Sequence, residues 1–420
     1  MKEADSGSRR VAVTGMGIIS PSGNDIATFW DNIVAGRCAI VPLEGFEDMG
    51  LPVYVAGVVK DFNPLQYGLT PKDVHRTDRF SQMAVAAAGQ ALADAGIVSG
   101  ETIAPERMGT YVTSGIGGFD TQVKQTKVML TEGASRISPY YIPMVIPNLG
   151  AGNVAIKFNA QGPCMAHVSA CTSSTNSIGE AFLAIKAGRA DVIIAGGSEA
   201  VLNPMALAGF ANARALSTEK DPLKACLPFD RRRSGFVMAE GAAMLILEEM
   251  EHARARGAEI LAEVTGYGCT CDAYHITLPR QDSEPAARAM KLALEEGGYR
   301  PGENLYVNAH GTGTRFNDIV ETRALKLALG EDEAHRASVS SSKSMTGHMF
   351  GATGAAEAIV SVLALRNGIV PPTIGLEDPD PECDLDYTPL KAVRRKLDIA
   401  LSNSLGFGGH NVCITLRRVG

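Results

Sequence analysis

Hydrophobic positions along this chain follow two alternating patterns. Short apolar runs typical of buried β-strands occur at residues 11–14, 109–113, 191–195, 242–247, 260–265, 305–309, 338–340, 399–403 and 412–416. Longer stretches carry apolar residues at helical spacing and end at a glycine, which predicts helices at residues 80–95, 171–187, 285–296, 318–329 and 352–367. Strands that alternate with helices of this length indicate a layered α/β architecture.

Three reactive side chains lie where apolar runs end. Cys171 directly follows a short predicted apolar strand and begins a predicted helix. Free backbone N–H groups and the helix dipole favour a thiolate there, so Cys171 is predicted to be unusually nucleophilic, although a lone cysteine is more often a small buried hydrophobic residue. His310 and His348 each lie where an apolar strand meets a glycine-rich turn, as catalytic groups of α/β folds do. Either histidine alone could equally be structural; the three residues together predict one site.

Composition narrows the class of protein. The 420 residues can bury a substantial core, and a formal net charge of −7 argues against a general nucleic-acid binder. Eight scattered cysteines indicate neither a metal site nor a disulfide framework, and they predict reduced thiols in the cytoplasm. The first ten residues lack the apolar core of a signal peptide. Because the most apolar stretch, residues 352–365, is interrupted by Glu357, no membrane insertion is predicted.

Several motifs, in order along the chain, resemble the β-ketoacyl-[acyl-carrier-protein] synthases. They include Ala-Cys-Thr-Ser-Ser at 170–174, Asp-Ala-Tyr-His-Ile-Thr at 272–277, His-Gly-Thr-Gly-Thr at 310–314, Lys-Ser-Met-Thr-Gly-His at 343–348 and Asn-Ser-Leu-Gly-Phe-Gly-Gly-His-Asn at 403–411. The resemblance runs from about residue 10 to 416 and is to the elongating, KAS II-like type. It implies the thiolase-like fold, in which duplicated βαβαβαββ halves form a five-layered α-β-α-β-α sandwich. We expect the halves at residues 9–256, with the nucleophilic cysteine, and 257–420, with the two histidines.

The resemblance implies a decarboxylative Claisen condensation in two half-reactions. Cys171 would accept an acyl group from the acyl-loaded acyl carrier protein, and the malonyl-loaded carrier would then lose CO2 to give an enolate that attacks the acyl thioester. The backbone N–H groups of Cys171 and Phe407 would form an oxyanion hole for the acyl carbonyl. His310 and His348 would stabilise the enolate.

Supporting residues are also implied by the resemblance. Lys343 would pair with Glu321 and position the histidines. No cofactor of the protein's own is implied, because phosphopantetheine arrives on the carrier protein. A homodimer is implied, with the segment around Ile146 meeting the neighbouring pocket. The remaining implied contacts are Thr312 and Thr314 with the phosphopantetheine arm; Ile116, Ile146 and Phe210 with the acyl chain; and Phe407 as the gate of the acyl pocket.

Other classes of protein predict different residues at these positions. A non-catalytic partner subunit would lack Cys171, a thiolase would have a second cysteine in place of His348, and a KAS III or chalcone-type enzyme would have asparagine there. A discrete ketosynthase of polyketide or specialised lipid assembly is the main alternative, because its residues would be nearly the same. Leu405 replaces a usual phenylalanine and His410 a frequent threonine, which leaves acyl-length preference open.

Overall fold

The computed structural model describes residues 9–46 and 50–419; the polar segment 1–8 lies outside them. The strands are β1 Val11–Ile19, β2 Ile40–Pro42, β3 Val55–Gly57, β4 Met108–Thr113, β5 Cys164–Met165, β6 Val192–Glu199, β7 Gly241–Glu249, β8 Ala262–Cys271, β9 Leu305–Asn308, β10 Ser338–Ser340, β11 Ile369–Val370, β12 Val393–Arg394, β13 Ile399–Gly406 and β14 His410–Arg417. The α-helices are α1 Ile26–Val34, α2 Pro71–Arg76, α3 Arg79–Ala95, α4 Phe119–Glu132, α5 Tyr141–Val145, α6 Leu149–Phe158, α7 Ser173–Lys186, α8 Pro204–Asn212, α9 Pro222–Ala225, α10 Met250–Ala255, α11 Glu284–Glu296, α12 Asn317–Leu329, α13 Glu331–Arg336, α14 Lys343–Thr346 and α15 Thr353–Asn367.

The large sheet repeats one strand order twice. Its ten strands run β10-β9-β13-β14-β8-β1-β7-β6-β4-β5. From the centre outwards, each half has two antiparallel pairings followed by two parallel ones: β1, β7, β6, β4 and β5 in one half, β8, β14, β13, β9 and β10 in the other. Among the described strands, the two half-sheets are joined where residues 11–13 of β1 pair with residues 262–264 of β8. The predicted duplication is confirmed.

Helices cover both faces of each half-sheet and fill the space between the halves. Side chains of α7 and α15 share one hydrophobic core with β1, β7 and β14. Separate cores hold α3 and α6 against the outer face of the first half, and α11 and α12 against the outer face of the second. The central helix α15 is buried on all sides from Thr353 to Leu365, as expected for a helix that is apolar around its whole circumference. These layers confirm the predicted α-β-α-β-α sandwich.

Most predicted elements overlap observed ones, but the apolar strand expected directly before Cys171 is wrong. The strand in this region is β5, and the chain from 166 to 169 is irregular. Val168 is 53% exposed, so it is not part of a buried strand. The division expected between residues 256 and 257 falls in the turn that joins α10 to β8. Within the described ranges, no helix is both long and apolar enough to cross a membrane.

Candidate active site

One cavity of about 620 Å³ brings together most of the residues that the sequence singled out. The reactive groups Cys171, His310 and His348 line it. Further predicted residues on its walls are Ile116, Phe210, Thr312, Thr314 and Phe407. Ile146 is not among the lining residues; it follows α5 at the surface and is 36% exposed. Within one chain Ile146 therefore does not contact the pocket, and its predicted role depends on a second subunit.

A strained turn presents Cys171 at the start of α7. The residues Ala170–Thr172 form a 3₁₀ turn immediately before the helix, and Ala170 has φ +54°, in the left-handed region that L-residues rarely adopt. The Ser173 hydroxyl donates to the carbonyl of Ala170 at 2.6 Å and accepts the N–H of Ser169 at 2.9 Å. These two bonds hold the turn, so the thiol is fixed in the cavity.

Burial opposes ionisation of the Cys171 thiol. Burial raises its pKa to about 11, although the charge of Lys343 and the backbone N–H groups of Phe407 and Cys171 act in the opposite direction. This shift runs against the predicted thiolate, because loss of water opposes the favourable field at the helix start; the enhanced nucleophilicity of Cys171 stays a prediction. The same N–H groups converge on the sulfur, where they can bind an oxyanion formed on an attached carbonyl.

The two histidines face each other as neutral rings. Their centroids are 5.6 Å apart and their planes are nearly perpendicular, at 87°. Burial, with the charge of Lys343, holds the pKa of both His310 and His348 well below 6.5. Lys343 Nζ lies 3.3 Å from His310 Nδ1; an ammonium only donates, so Nδ1 accepts and Nε2 carries the ring proton. His348 Nδ1 is 3.0 Å from the Thr353 hydroxyl, and its Nε2 has no partner among the described residues.

Lys343 pairs with Glu357, which corrects the predicted pair with Glu321. Lys343 Nζ donates to Glu357 Oε1 and to the carbonyl of His310, both at 2.5 Å. Glu321 instead accepts the backbone N–H groups of His310 at 2.7 Å and Gly311 at 2.8 Å, so each of its oxygens is already in use behind the loop. Glu357 interrupts the otherwise apolar helix α15, and a carboxylate in such a position requires a cation. That interruption was the sequence signal for this pair.

An aromatic wall that the sequence did not reveal forms one side of the cavity. The ring of Phe350 lies 5.0 Å from Phe210 and 5.7 Å from Phe236, and it stacks on His348 at 5.0 Å and 21°. Phe407 completes the wall, 6.4 Å from Phe210. The apolar surface ends at the histidines, so a long apolar chain attached to Cys171 has room beside them.

The loop after His310 adds polar groups to the cavity. The hydroxyls of Thr312 and Thr314 are 3.0 Å apart, and both residues line the cavity. Hydroxyls at this spacing can donate to and accept from an extended amide-bearing arm.

Comparison with known proteins agrees with this geometry. The family model "Beta-ketoacyl synthase, N-terminal domain" matches residues 8–253, and "Beta-ketoacyl synthase, C-terminal domain" matches residues 261–377. The chain belongs to the β-ketoacyl synthase family. It is 48% identical over 411 residues to the 3-oxoacyl-[acyl-carrier-protein] synthase 2 of Synechocystis sp., covering 98% of each chain. It is 46% identical over 413 residues to the protein of that name from Staphylococcus aureus, covering 98% of this chain and 99% of the relative.

Solved structures give the same result. A type II PKS acyl-carrier protein in complex with its ketosynthase bound to the hexaketide contains a chain with TM-score 0.91 and 34% identity, with 98% of this chain and 100% of that chain covered. A β-ketoacyl synthase from Burkholderia phymatum has the same TM-score, identity and coverage.

Proposed function

We propose that the protein catalyses chain elongation in fatty acid synthesis, as a 3-oxoacyl-[acyl-carrier-protein] synthase of type II. It condenses an acyl group held on Cys171 with malonyl-[acyl-carrier-protein], giving 3-oxoacyl-[acyl-carrier-protein], CO2 and, from the loading step, free carrier protein. The observation that carries the proposal is a cavity that holds one cysteine at a helix start beside two neutral histidines. The enzyme is therefore an acyltransferase.

In the first half-reaction the sulfur of Cys171 attacks the acyl thioester carbonyl. A bond forms between sulfur and the acyl carbon, the bond to the pantetheine sulfur breaks, and the thiol proton leaves with the released carrier thiol. Negative charge develops on the carbonyl oxygen between these events. The N–H groups of Cys171 and Phe407 stabilise that charge.

In the second half-reaction the malonyl group loses its carboxylate. The broken carbon–carbon bond leaves its electron pair as an enolate on the malonyl thioester, and His310 and His348 donate N–H bonds to the enolate oxygen. The carboxylate departs as CO2, the enolate carbon attacks the acyl carbonyl, and the sulfur of Cys171 leaves as a thiolate that takes up a proton from water. Neutral histidines suit this step because both ring nitrogens have defined roles: one is held from behind, and the other faces the cavity.

The remaining cavity residues bind the substrate. Thr312 and Thr314 hydrogen-bond the phosphopantetheine arm, Ile116 and Phe210 contact the acyl chain, and Phe407 gates the pocket. Lys343, Glu357 and Glu321 position the histidine loops. We propose no metal and no cofactor beyond the arm that the carrier protein brings.

The partners that we propose are acyl- and malonyl-loaded acyl carrier protein and a second copy of this chain. Among the described strands, none pairs with the outer side of the edge strand β5, and an open edge favours pairing. Exposed apolar residues of this region are Met165 in β5, Val168 shortly after it, Ile156 on the adjoining helix α6, and Ile142 and Ile146 on and after α5, which packs against α6. A stable active monomer in sedimentation would contradict the homodimer.

We further propose a cytoplasmic location, which agrees with the eight cysteines being free thiols in the structure. We also propose that the two halves of the chain divide between residues 256 and 257.

The decisive experiment loads carrier proteins with acyl groups of increasing length and detects the adduct by intact mass and peptide mapping. Saturated acyl groups should modify Cys171 alone. An adduct on Cys164 or Cys226 would contradict the assignment of the nucleophile. The Cys171→Ala variant should lose condensation while malonyl decarboxylation continues at a measurable rate. Preference for polyketide intermediates over saturated chains would favour the alternative, a ketosynthase of specialised assembly.

A further inference from the structure

A buried carboxylate beside the cavity has no role in the mechanism above. Glu199, the last residue of β6, is fully buried. Its Oε1 accepts the hydroxyl of Ser114 at 2.6 Å and the N–H of Ile116 at 3.2 Å. Its Oε2 accepts the N–H groups of Gly115 at 2.8 Å and Gly351 at 3.0 Å. No Lys or Arg forms an ion pair with Glu199 in the described part of the chain; burial raises the pKa of its carboxyl group, and these four donors act in the opposite direction.

The four donors come from the two halves of the repeat. The loop 114–116 follows β4 in the first half, and Gly351 precedes α15 in the second. The two segments are in tight contact: a Cβ added to Gly351 would lie 2.8 Å from Glu199 Oε2 and would collide with the backbone nitrogen of Gly115. Glu199 therefore fixes the separation of two loops that cannot approach further.

Each loop carries one wall of the acyl pocket. Ile116 and Phe350 both line the cavity and pack in the same apolar cluster. Phe350 has φ +46°, a strained conformation, and the next N–H in the chain, that of Gly351, is bonded to Glu199. The ring of Phe350 stacks on His348. A displacement of this loop would move both the pocket wall and the support behind the histidine.

We propose that Glu199 is a positioning residue that sets the acyl-length limit of the pocket by holding the backbones of Ile116 and Gly351 at a fixed separation. The proposal rests on the function proposed above and adds a determinant of substrate specificity to it. Glu199 acts through the loops and does not contact the substrate.

The substitution Glu199→Gln should remove the hydrogen bond to one loop and keep the hydrogen bond to the other. A glutamine has one acceptor oxygen, which serves best between the N–H groups of Gly115 and Gly351. Its NH2 group then faces the Ser114 hydroxyl, which can accept, and the Ile116 N–H, which cannot. The variant therefore releases Ile116 and keeps Gly351 in place. Because the Ile116 N–H then has no bond to residue 199, the Ile116 side chain should move aside for longer acyl chains.

The test measures second-order rate constants for acylation of Cys171 by carrier proteins with short and long acyl groups. For Glu199→Gln we expect the ratio of long-chain to short-chain rate constants to rise about 3- to 10-fold, the range set by one hydrogen bond. Ser114→Ala removes one of the two donors to Oε1 and keeps every N–H bond to the carboxylate, so it should also raise the ratio, by a smaller factor. An unchanged ratio, or an equal loss for all chain lengths, would overturn the proposal.

Glu248→Gln is the matched control. Glu248 is also fully buried, and it is hydrogen-bonded to Arg256, His252 and Thr14. It pairs with Val192, at the opposite end of β6 from Glu199, and the two ends are about 23 Å apart along the strand. This variant should lose stability, while the ratio of long-chain to short-chain rate constants stays at the wild-type value. If the ratio changes equally in Glu199→Gln and Glu248→Gln, the effect is a general loosening of the fold and the proposal is overturned. A wild-type protein that no acyl carrier modifies would instead contradict the proposed function itself. If Glu199→Gln does not fold, a ratio unchanged in Ser114→Ala counts against the proposal.

Discussion

Lys343 donates to Glu357 across 2.5 Å, and neither side chain reaches solvent. Burial raises the pKa of Glu357 to about 7, and the positive charge of Lys343 opposes that rise. The same ammonium contacts Nδ1 and the carbonyl of His310. A single cation thus joins helix α15 to the loop after β9 and fixes the tautomer of a proposed catalytic ring.

Glu357→Gln should therefore impair both stability and the malonyl half-reaction. Removing one partner of a buried ion pair costs about 3–5 kcal/mol, because the remaining charge is left uncompensated. We expect a loss of this order in the free energy of unfolding by urea, together with slower malonyl decarboxylation. Adding Lys343→Met should restore part of the stability but none of the activity. Decarboxylation at the wild-type rate in Glu357→Gln would contradict the link between the pair and His310.

His310→Ala and His348→Ala should slow malonyl decarboxylation more than acylation of Cys171. Removing one preorganised donor to an oxyanion typically costs about 10²- to 10³-fold. Acylation should fall less, because the N–H groups of Cys171 and Phe407 remain in place. The two half-reactions can be followed separately by CO2 release and by adduct mass. Equal losses in both would show that the proposed division of roles is wrong.

Alkylation of Cys171 should accelerate with pH well beyond the range of an ordinary thiol. Only the thiolate reacts, and burial raises the pKa of this thiol to about 11. The rate constant with iodoacetamide should increase about tenfold per unit from pH 7 to 10, whereas a model thiol levels off near 8.5. A plateau for Cys171 below pH 8 would mean that the helix start outweighs burial after all.

Phe407→Ala should relax the requirement that Cys171 be acylated before malonyl carrier protein reacts. The positive φ angles of Gly408 and Gly409, +88° and +77°, show that glycines shape the loop after Phe407, so its ring can change position without strain elsewhere. Without the ring, malonyl carrier should be decarboxylated before Cys171 is acylated. Ile116→Gly is the companion variant, and it should change the accepted chain length and leave the order intact. Unaltered order in Phe407→Ala would leave residue 407 with its backbone role only.

The core elements could be predicted because burial imposes their periodicity. Strands such as β4, β6 and β9 are buried along their whole length, so their sequences consist mainly of apolar and small residues without the polar alternation of a half-exposed strand. Helix α4 was missed because only Thr121 within it is buried, which leaves no apolar stripe to recognise.

Site residues could be predicted where they lie in a short sequence motif, but not where they depend on a contact between residues far apart in the sequence. Cys171, His310 and His348 each lie in a short recognisable segment. Glu199 and Phe350 become part of the site only through folding, which brings Gly351 to a carboxylate 152 residues away. The partner of Lys343 was misassigned for the same reason: two buried carboxylates lie near the cation, and only the helix packing decides which one it reaches.

The duplicated sheet makes Glu199 and Gly406 counterparts, as the last residues of β6 and β13. Cys171 and Gly351 are counterparts too, each the second residue of a 3₁₀ turn whose first residue has positive φ. At one site the N–H of Gly351, in the second half, is bound by the Glu199 carboxylate of the first half. At the other site the N–H of Cys171, in the first half, lies beside Gly406 of the second half, which has no side chain. The fold thus contains two copies of one anion-binding cradle. The protein's own Glu199 carboxylate binds at the first cradle, and we propose that the oxygen of the substrate binds at the second.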